Sequence, residues 1–289
     1  MSGFETSIGQ AYVIADGMGG HKGGALAAAL TVQGLQQYLS KTPPQWSVQK
    51  AIRAAFEQTN QTVYEQAHCG NPETEGMGST AVLLLITGSV AQVSYVGDSR
   101  AYLYHARRLQ PLTKDHSRVQ RMVDAGMLTP AEARNHPEAY LLERAIGQKP
   151  SIDVEIAPEL QLEEGDGILL CTDGLCGYVD EREIERVLRS EATVQEVTDR
   201  LVKLALAKGG HDNVTVQFIQ YGRRREARSK KARLMRRITT LLLLLAVALV
   251  VLLNYPPGMK LIHRLYDTYL ARAISFLANE PAGQSQRGE

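Results

Sequence analysis

Four aspartates in this chain stand in short loops that contain or adjoin glycine, each beside an apolar run of the kind that forms a buried strand. They are Asp16 in ADGMGG, Asp98 in GDSR, Asp173 in TDG and Asp212 in GGHDN. Carboxylates that converge on one point repel one another unless cations lie between them. Sites with only oxygen ligands favour hard ions such as Mg²⁺ or Mn²⁺. Two such ions about 3.5–4 Å apart lower the pKa of a bridging water and hold a phosphoryl oxygen, so the set predicts bimetal phosphoryl chemistry.

No single motif carries this prediction. Asp-Gly is a common turn dipeptide, and the loop at residues 17–20 lacks the Lys-Ser/Thr of a nucleotide-binding P-loop. The three cysteines, Cys69, Cys171 and Cys176, match no zinc-site spacing and are typical of a reducing compartment. The ordered set of aspartates at strand ends is what favours a metal site.

The surrounding pattern predicts the elements that would position these loops. Strands are expected at residues 11–15, 81–86, 91–96, 101–104, 152–156, 168–171 and 214–219, and helices at 24–39, 48–68, 181–190 and 194–207. Residues 115–147 are predicted to be helical and polar, with a break at Pro130. Because the apolar runs come in hairpin-like pairs, we expect antiparallel sheets covered by helices rather than a parallel sheet.

In its motifs the chain resembles the bacterial PP2C-type (PPM) metal-dependent Ser/Thr protein phosphatases. The matching stretches cover about 200 residues in the family's order: VIADGMGGHKGG at 13–24, GST at 78–80, VGDSRAYLY at 96–104, LTKDHSRVQRMVDAGMLTPAEARNHP at 112–137, LLERAIG at 141–147, GDGILLCTDGL at 165–175 and GGHDNVTV at 209–216. The resemblance implies an α+β fold, a four-layer α-β-β-α sandwich with the metals at one end of the paired sheets.

The resemblance also implies a role for each aspartate. Asp16 resembles the carboxylate that bridges both metals, and Gly17 would give its carbonyl to the first. Asp173 and Asp212 resemble the ligands of the second metal, and Asp98 with Asp173 resembles the pair that holds a weaker third one. The catalytic set is thus Asp16, Asp173 and Asp212. The resemblance also implies supporting or substrate-side roles for Gly19, Gly20, Arg100 and Asn213. Residues 115–137 resemble the family's mobile flap, which lies beside the site.

The implied mechanism needs no phosphoenzyme, because a hydroxide that bridges two Mn²⁺ or Mg²⁺ ions attacks phosphorus directly. The implied partners are phosphoserine and phosphothreonine proteins and the Ser/Thr kinase that the phosphatase would oppose. Nucleic acid is not an expected partner, since residues 1–222 carry 19 Lys and Arg against 27 Asp and Glu.

The beginning of the chain departs from the family. Residues 1–10 are expected to form only a linker, so the N-terminal strand with its phosphate-gripping arginine, and the acidic residue that assists the second metal, are missing. Glu5 lies too close to Asp16 in sequence to replace that acid, and Arg100 could bind phosphate instead, although a role in its own turn is favoured. Either the true start of the gene lies upstream, or this is a short form with weak or no activity.

The end of the chain has a different composition. Residues 223–237 carry nine Lys and Arg against one Glu, and residues 238–259 contain no charged residue. We therefore expect a phosphatase domain at 1–221, a basic juxtamembrane linker at 222–237, a transmembrane helix at 238–257 and a short extracytoplasmic tail with an amphipathic helix at 258–289. The basic linker places the phosphatase domain on the cytoplasmic side of a bacterial cell membrane that the chain crosses once.

Three functions stay open at this point. The intact aspartate set favours a membrane-tethered protein phosphatase. The absent arginine strand favours a pseudophosphatase that binds or senses without turnover. The same bimetal chemistry would also permit hydrolysis of a small phosphate compound.

Overall fold

The structure is a computed structural model that describes residues 1–134, 136–190 and 192–222, and further along the chain residues 239, 240, 242, 247, 250 and 263–270. The chain divides into two compact units, Met1–Glu226 and Ala227–Glu289. In the second unit, residues 263–270 are helical and exposed, within the tail where an amphipathic helix is expected. The expected span at 238–257 lies largely outside the described residues, among which no helix is both long and apolar enough to cross a membrane.

The elements of the first unit come in runs of strands separated by runs of helices. In chain order they are β1 Ser2–Thr6, β2 Gly9–Ile14, β3 Gly17–Met18, α1 Gly20–Ser40, α2 Val48–Ala67, β4 Gly78–Ser79, β5 Ala81–Thr87, β6 Val90–Val96, β7 Arg100–His105, β8 Arg108–Pro111, α3 Arg118–Asp124, α4 Pro130–Arg134, β9 Glu155–Ile156, β10 Leu160–Gln161, β11 Gly167–Cys171, α5 Asp173–Cys176, α6 Glu181–Leu188, α7 Val194–Ala207 and β12 Val216–Gln220.

Two antiparallel sheets form the centre of this unit. The first has the order β1-β2-β5-β6, with β9 and β10 both paired to β6, and the second has the order β12-β11-β7-β8. A separate short pair joins β3, which follows β2 along the chain, to β4, which precedes β5. The antiparallel arrangement confirms the expectation drawn from the hairpin-like pairs of apolar runs.

The sheets and helices are arranged in four layers, as the alternation of side chains along β5 shows. Ala81, Leu83 and Leu85 face a core shared with α1 and α2, whereas Val82, Leu84 and Ile86 face the second sheet. On the far side, the second sheet shares another core with α6 and α7. Both faces of β5 are therefore buried, which explains why its sequence is a continuous apolar run. The expected α-β-β-α sandwich is present.

The first residues of the chain do not form the expected linker. Residues 2–6 form the strand β1, which pairs antiparallel with β2 from Ser2 opposite Val13 to Thr6 opposite Gly9. The prediction failed because this strand is short and polar and obtains its partner from β2. Glu5 pairs with Gln10, at the end of β2 that is farther from Asp16, so distance along the strand removes Glu5 from the site. The strand carries no arginine, and the first arginine in the chain is Arg53.

The prediction for residues 115–147 was also wrong in part. Only α3 and α4 are helical there, and the chain beyond α4 is turns and isolated bridges up to residue 147, with residue 135 outside the described part. Similarly, the strand expected at 152–156 is reduced to the two residues of β9.

Candidate metal centre

Asp16 follows β2 and is held by the neighbouring strand through its backbone. Its N–H donates to Thr80 Oγ1 at 2.9 Å, and its carbonyl accepts from the N–H of Thr80 at 2.8 Å and from Ser79 Oγ at 2.9 Å. These three bonds fix the main chain of Asp16 against residues 79 and 80.

Asp98 lies in the tight turn between β6 and β7, which joins the two sheets. Ser99, next to it, shares a hydrogen bond of 2.8 Å with Thr80 Oγ1, and both hydroxyls are buried. Gly97 has a φ of +103°, and a Cβ atom there would lie 2.6 Å from Thr80 Cγ2. Thr80 therefore links the Asp16 loop to the Asp98 turn, and this close approach requires glycine at position 97.

Asp173 and Asp212 belong to two loops that are fastened to each other. Thr172, before Asp173, donates its hydroxyl to the carbonyl of Asn213 at 3.2 Å and accepts from the N–H of Thr215 at 3.1 Å. A Cβ atom on Gly174 would lie 2.3 Å from that same Asn213 carbonyl oxygen. The Asn213 N–H donates to Asp212 Oδ1 at 2.7 Å, so the backbone of Asn213 supports the Asp212 loop.

The electrostatics show that the aspartates face one another. Burial is the largest of the causes that together raise the pKa of Asp16 to about 8, followed by the interaction with Asp173 and by the charges of Asp212 and Asp98. Burial together with the charge of Asp173 raises the pKa of Asp98 to about 7. Burial is likewise the first cause of the raised pKa of Asp173. Burial is the largest cause in all three groups, and the negative charge of neighbouring carboxylates adds to it.

The residues present fit a divalent cation. Asp173 Oδ1 is buried and has no hydrogen-bond partner, which is the state of an acceptor whose partner would be an ion. Within the described part of the chain, no group of three or more His, Cys, Asp or Glu side chains is close enough to hold an ion by itself. Such a group is not required for a magnesium site, because Mg²⁺ commonly takes only one or two carboxylates and keeps several waters.

The glycine loop after Asp16 is shaped by close backbone contacts. A Cβ atom on Gly17 would lie 1.8 Å from the carbonyl oxygen of Gly24 in α1. Gly19 precedes α1 with a φ of +110°, and Gly20 has a φ of +73°, both in the left-handed region. The start of α1 is thereby packed against the loop that carries Asp16 and Gly17.

Comparisons with known proteins agree with this geometry. The family described as protein phosphatase 2C matches residues 4–213. The serine/threonine phosphatase stp of Listeria monocytogenes is 33% identical over 223 residues, which cover 75% of this chain and 87% of the relative. The solved serine/threonine phosphatase of S. agalactiae is 32% identical with a TM-score of 0.71, and the match covers 77% of this chain and 91% of that one.

The chain belongs to the protein phosphatase 2C family. It is therefore a metal-dependent protein serine/threonine phosphatase with the family's α+β fold. The solved catalytic domain of the serine/threonine protein phosphatase PstP, which is in complex with two manganese ions, is 33% identical with a TM-score of 0.67, covering 77% of this chain and 91% of that one. Two divalent ions are thus the cofactor that the comparisons support, and the residues that hold them here remain a prediction.

In this phosphatase, Arg100 forms an ion pair with Asp115. Its Nε and Nη2 donate to the two carboxylate oxygens of Asp115 at 2.8 and 2.7 Å, and its Nη1 donates to the Tyr102 hydroxyl at 3.3 Å. These contacts occupy three of its nitrogen atoms, which favours the role within its own turn over phosphate binding.

A groove of about 380 Å³ opens beside the aspartates. Asp98 and Asp173 line it, together with residues from α3, α4 and the turns that follow α4. Tyr140 and Tyr178 both line it, and the interaction with Tyr140 is the first cause of the raised pKa of Tyr178, about 12. The expected flap segment therefore does border the site, although its helices are short.

Sequence reasoning did not identify the residues that hold the aspartates in place. Thr80 lies within the quoted GST stretch and His116 within the flap stretch, but their partners are distant in sequence. A buried threonine or histidine beside a functional loop was the only available signal, and sequence alone does not show burial.

Proposed function

We propose that this phosphatase removes phosphate from phosphoserine and phosphothreonine proteins at the Asp16–Asp173 pair, with two Mn²⁺ or Mg²⁺ ions as cofactors. The observation that carries the assignment to these residues is the raised pKa of Asp16, about 8, which results from burial and from the three other aspartates. Such a cluster is costly for the fold unless a cation compensates it.

Each carboxylate has a distinct task in this proposal. Asp16 and Asp173 would hold ions between the two sheets, Asp212 would complete the second of these positions, and Asp98 would hold a weaker one with Asp173. When bound, divalent ions supply an acidified water and offset the charge of the phosphoryl group. The Thr80 and Thr172 hydroxyls keep the aspartates fixed by binding the neighbouring backbone. The adjoining groove receives the peptide that bears the phosphate.

We further propose that the phosphatase unit is tethered to the cytoplasmic face of a bacterial membrane. The uncharged stretch at 238–259 and the basic run before it support this proposal. The described residues of that stretch, 239, 240, 242, 247 and 250, are helical. A Ser/Thr kinase must supply the substrate of such a reaction, and a tether would concentrate the phosphatase near kinases of the same membrane.

The activity is tested with the full-length chain in detergent, as Mn²⁺-dependent release of phosphate from a phosphothreonine peptide. Asp173→Asn is expected to lower the rate about 100-fold or more. Asp199→Asn, an exposed change on α7, is the matched control and should leave the rate unchanged. If the wild-type chain binds Mn²⁺ but hydrolyses no phosphopeptide, the binding-module alternative replaces the proposal. A preference for a small phosphate ester over peptides would favour the small-molecule alternative.

The tether is tested by fractionating cells that express the chain. Removal of residues 223–289 should move the phosphatase unit to the soluble fraction, whereas removal of residues 281–289 should not. In intact spheroplasts, external protease should leave the phosphatase unit whole. Digestion of that unit from outside would contradict the proposed orientation.

A further inference from the structure

We propose that His116 is a positioning residue that holds the Gly97–Asp98 turn and so sets the affinity of the metal position at Asp98. Both backbone polar groups of Gly97 bind this one residue. The N–H of His116 donates to the Gly97 carbonyl at 2.9 Å, and the Gly97 N–H donates to His116 Nδ1 at 3.2 Å. The inference rests on the proposed function in one respect, namely that Asp98 helps to hold an ion.

The orientation of the imidazole ring is fixed on its other sides. A backbone N–H can only donate, so Nδ1 must be the unprotonated acceptor and Nε2 must carry the hydrogen. That Nε2 lies 3.2 Å from Glu155 Oε2, to which it donates. The ring stacks on Tyr95 with centroids 5.0 Å apart, and the His116 side chain is only 8% exposed. The Nδ1 acceptor is therefore aimed at the Gly97 N–H and at nothing else in this network.

Two residues, Thr80 and His116, contact the turn that carries Asp98. On one side, Thr80 packs against Gly97 and bonds to Ser99. On the other side, His116 binds Gly97. If the His116 contact is lost, the Gly97 N–H is buried without a partner, and the turn must shift to satisfy it. Because Asp98 is part of this turn, a shift of the turn displaces the Asp98 carboxylate.

The Arg100–Asp115 ion pair also joins the segment that carries Asp98 to the segment that carries His116. Arg100 follows Asp98 by two residues, and Asp115 precedes His116. Residues 115 and 116 thus hold the chain on both flanks of Asp98. His116 is the member of this pair of residues that contacts the turn itself.

The experiment compares three substitutions of His116 in the full-length chain. In His116→Asn, the side-chain oxygen lies where Nδ1 lies and can still accept from Gly97. In His116→Gln, the amide reaches the position of Nε2 and keeps the contact with Glu155 instead. His116→Leu removes both contacts. His68, an exposed histidine at the end of α2, provides the matched control as His68→Leu.

The first readout is the binding of Mn²⁺ in the absence of substrate. Calorimetry measures this binding, and electron paramagnetic resonance measures the concentration of the free ion. We expect the weakest Mn²⁺ position to lose about 10-fold or more in affinity in His116→Gln and His116→Leu, the scale typical of residues that orient ligands. His116→Asn should stay within about 3-fold of the wild-type affinity, and His68→Leu should equal the wild type. The phosphatase assay then reports the same shift as a higher Mn²⁺ requirement, with the rate at saturating Mn²⁺ largely kept.

A second set places the same substitutions in an Asp98→Asn background. Because His116 acts through Asp98, His116→Gln should there cause no further loss of Mn²⁺ affinity. Equal binding by the Asn and Gln variants, or a further loss in the Asp98→Asn background, would overturn the proposal. The Asn–Gln comparison keeps it testable if His116→Leu fails to fold. Because Mn²⁺ binding is measured without substrate, the two proposals can fail separately. An inactive wild-type chain would contradict the proposed function, whereas the role of His116 would still be decided by the Mn²⁺ affinities of its variants.

Discussion

Replacing Asp16 with asparagine should stabilise the metal-free phosphatase at alkaline pH while it abolishes activity. In the folded chain without metal, the pKa of Asp16 is raised from 3.8 to about 8. Between these values the folded state holds a proton that the unfolded state has lost. The free energy of unfolding therefore falls as pH rises through this window and is lowest above pH 8. Asparagine carries no charge and removes this titration.

The magnitude follows from the shift in pKa. At about 1.4 kcal/mol per pKa unit, a shift from 3.8 to about 8 corresponds to an upper limit of about 6 kcal/mol. Asp16 is only partly buried, and entry of water into the metal-free site reduces the cost of its charge. We therefore expect Asp16→Asn to gain about 2–3 kcal/mol over the wild type at pH 8.5, and little at pH 4.

The assay is urea unfolding of the full-length chain in EDTA at pH 5, 7 and 8.5, followed by the fluorescence of Trp46, the single tryptophan. Asp199→Asn is the control for a lost surface charge and should follow the wild type. Saturating Mn²⁺ should reverse the order, because only the wild type gains from the ion. The reasoning is refuted if Asp16→Asn is no more stable than the wild type at pH 8.5 without metal.

Three further substitutions probe the contacts that fix the site. Thr80→Val keeps the shape of the side chain but leaves the Asp16 N–H unpaired, so it should lower the free energy of unfolding by about 2–4 kcal/mol and reduce activity. Thr80→Ser keeps the hydroxyl and should lower the free energy of unfolding by only about 1 kcal/mol. Urea unfolding of the two variants measures this difference. Gly174→Ala forces a Cβ atom against the Asn213 carbonyl, so calorimetry should show weaker Mn²⁺ binding, and unchanged binding would contradict this. Arg100→Lys loses the bidentate ion pair and should cost about 1–2 kcal/mol of stability by thermal unfolding.

The parts of the fold that could be predicted are those whose sequence carries the reason for their structure. The hairpin of β5 and β6 was predicted within about one residue, because both strands are buried on two faces and their sequences are almost continuously apolar. The strand β1 was missed because its residues alternate weakly and its stability comes from pairing with β2. The region after α3 was predicted as too helical, since its polar pattern gave no sign of the turns that follow α4.

The same distinction applies to the site. The aspartates were recognisable because residue type and glycine context are local features of the sequence. The residues that position them were not, since the contact of Thr80 with Asp16 joins residues 64 apart and that of His116 with Gly97 joins residues 19 apart. Such contacts are properties of the folded sheet ends, and no spacing rule reports them.

The position of the site at the ends of both sheets explains why so many contacts are needed to hold it. Asp16 follows a strand of the first sheet and Asp173 follows a strand of the second. Asp98 lies in the turn that joins them. When no cation is bound, ionisation of these carboxylates is unfavourable, and the pKa of Asp16 and the pKa of Asp98 are raised accordingly. The apolar core between the sheets holds the sheet ends in place. The hydrogen bonds from Thr80, Thr172 and His116 to neighbouring backbone groups keep the three loops in place, so the cost of ionising the carboxylates remains at the site, where an ion can offset it. On this argument, the cluster that destabilises the empty site is the same feature that gives it affinity for divalent metal.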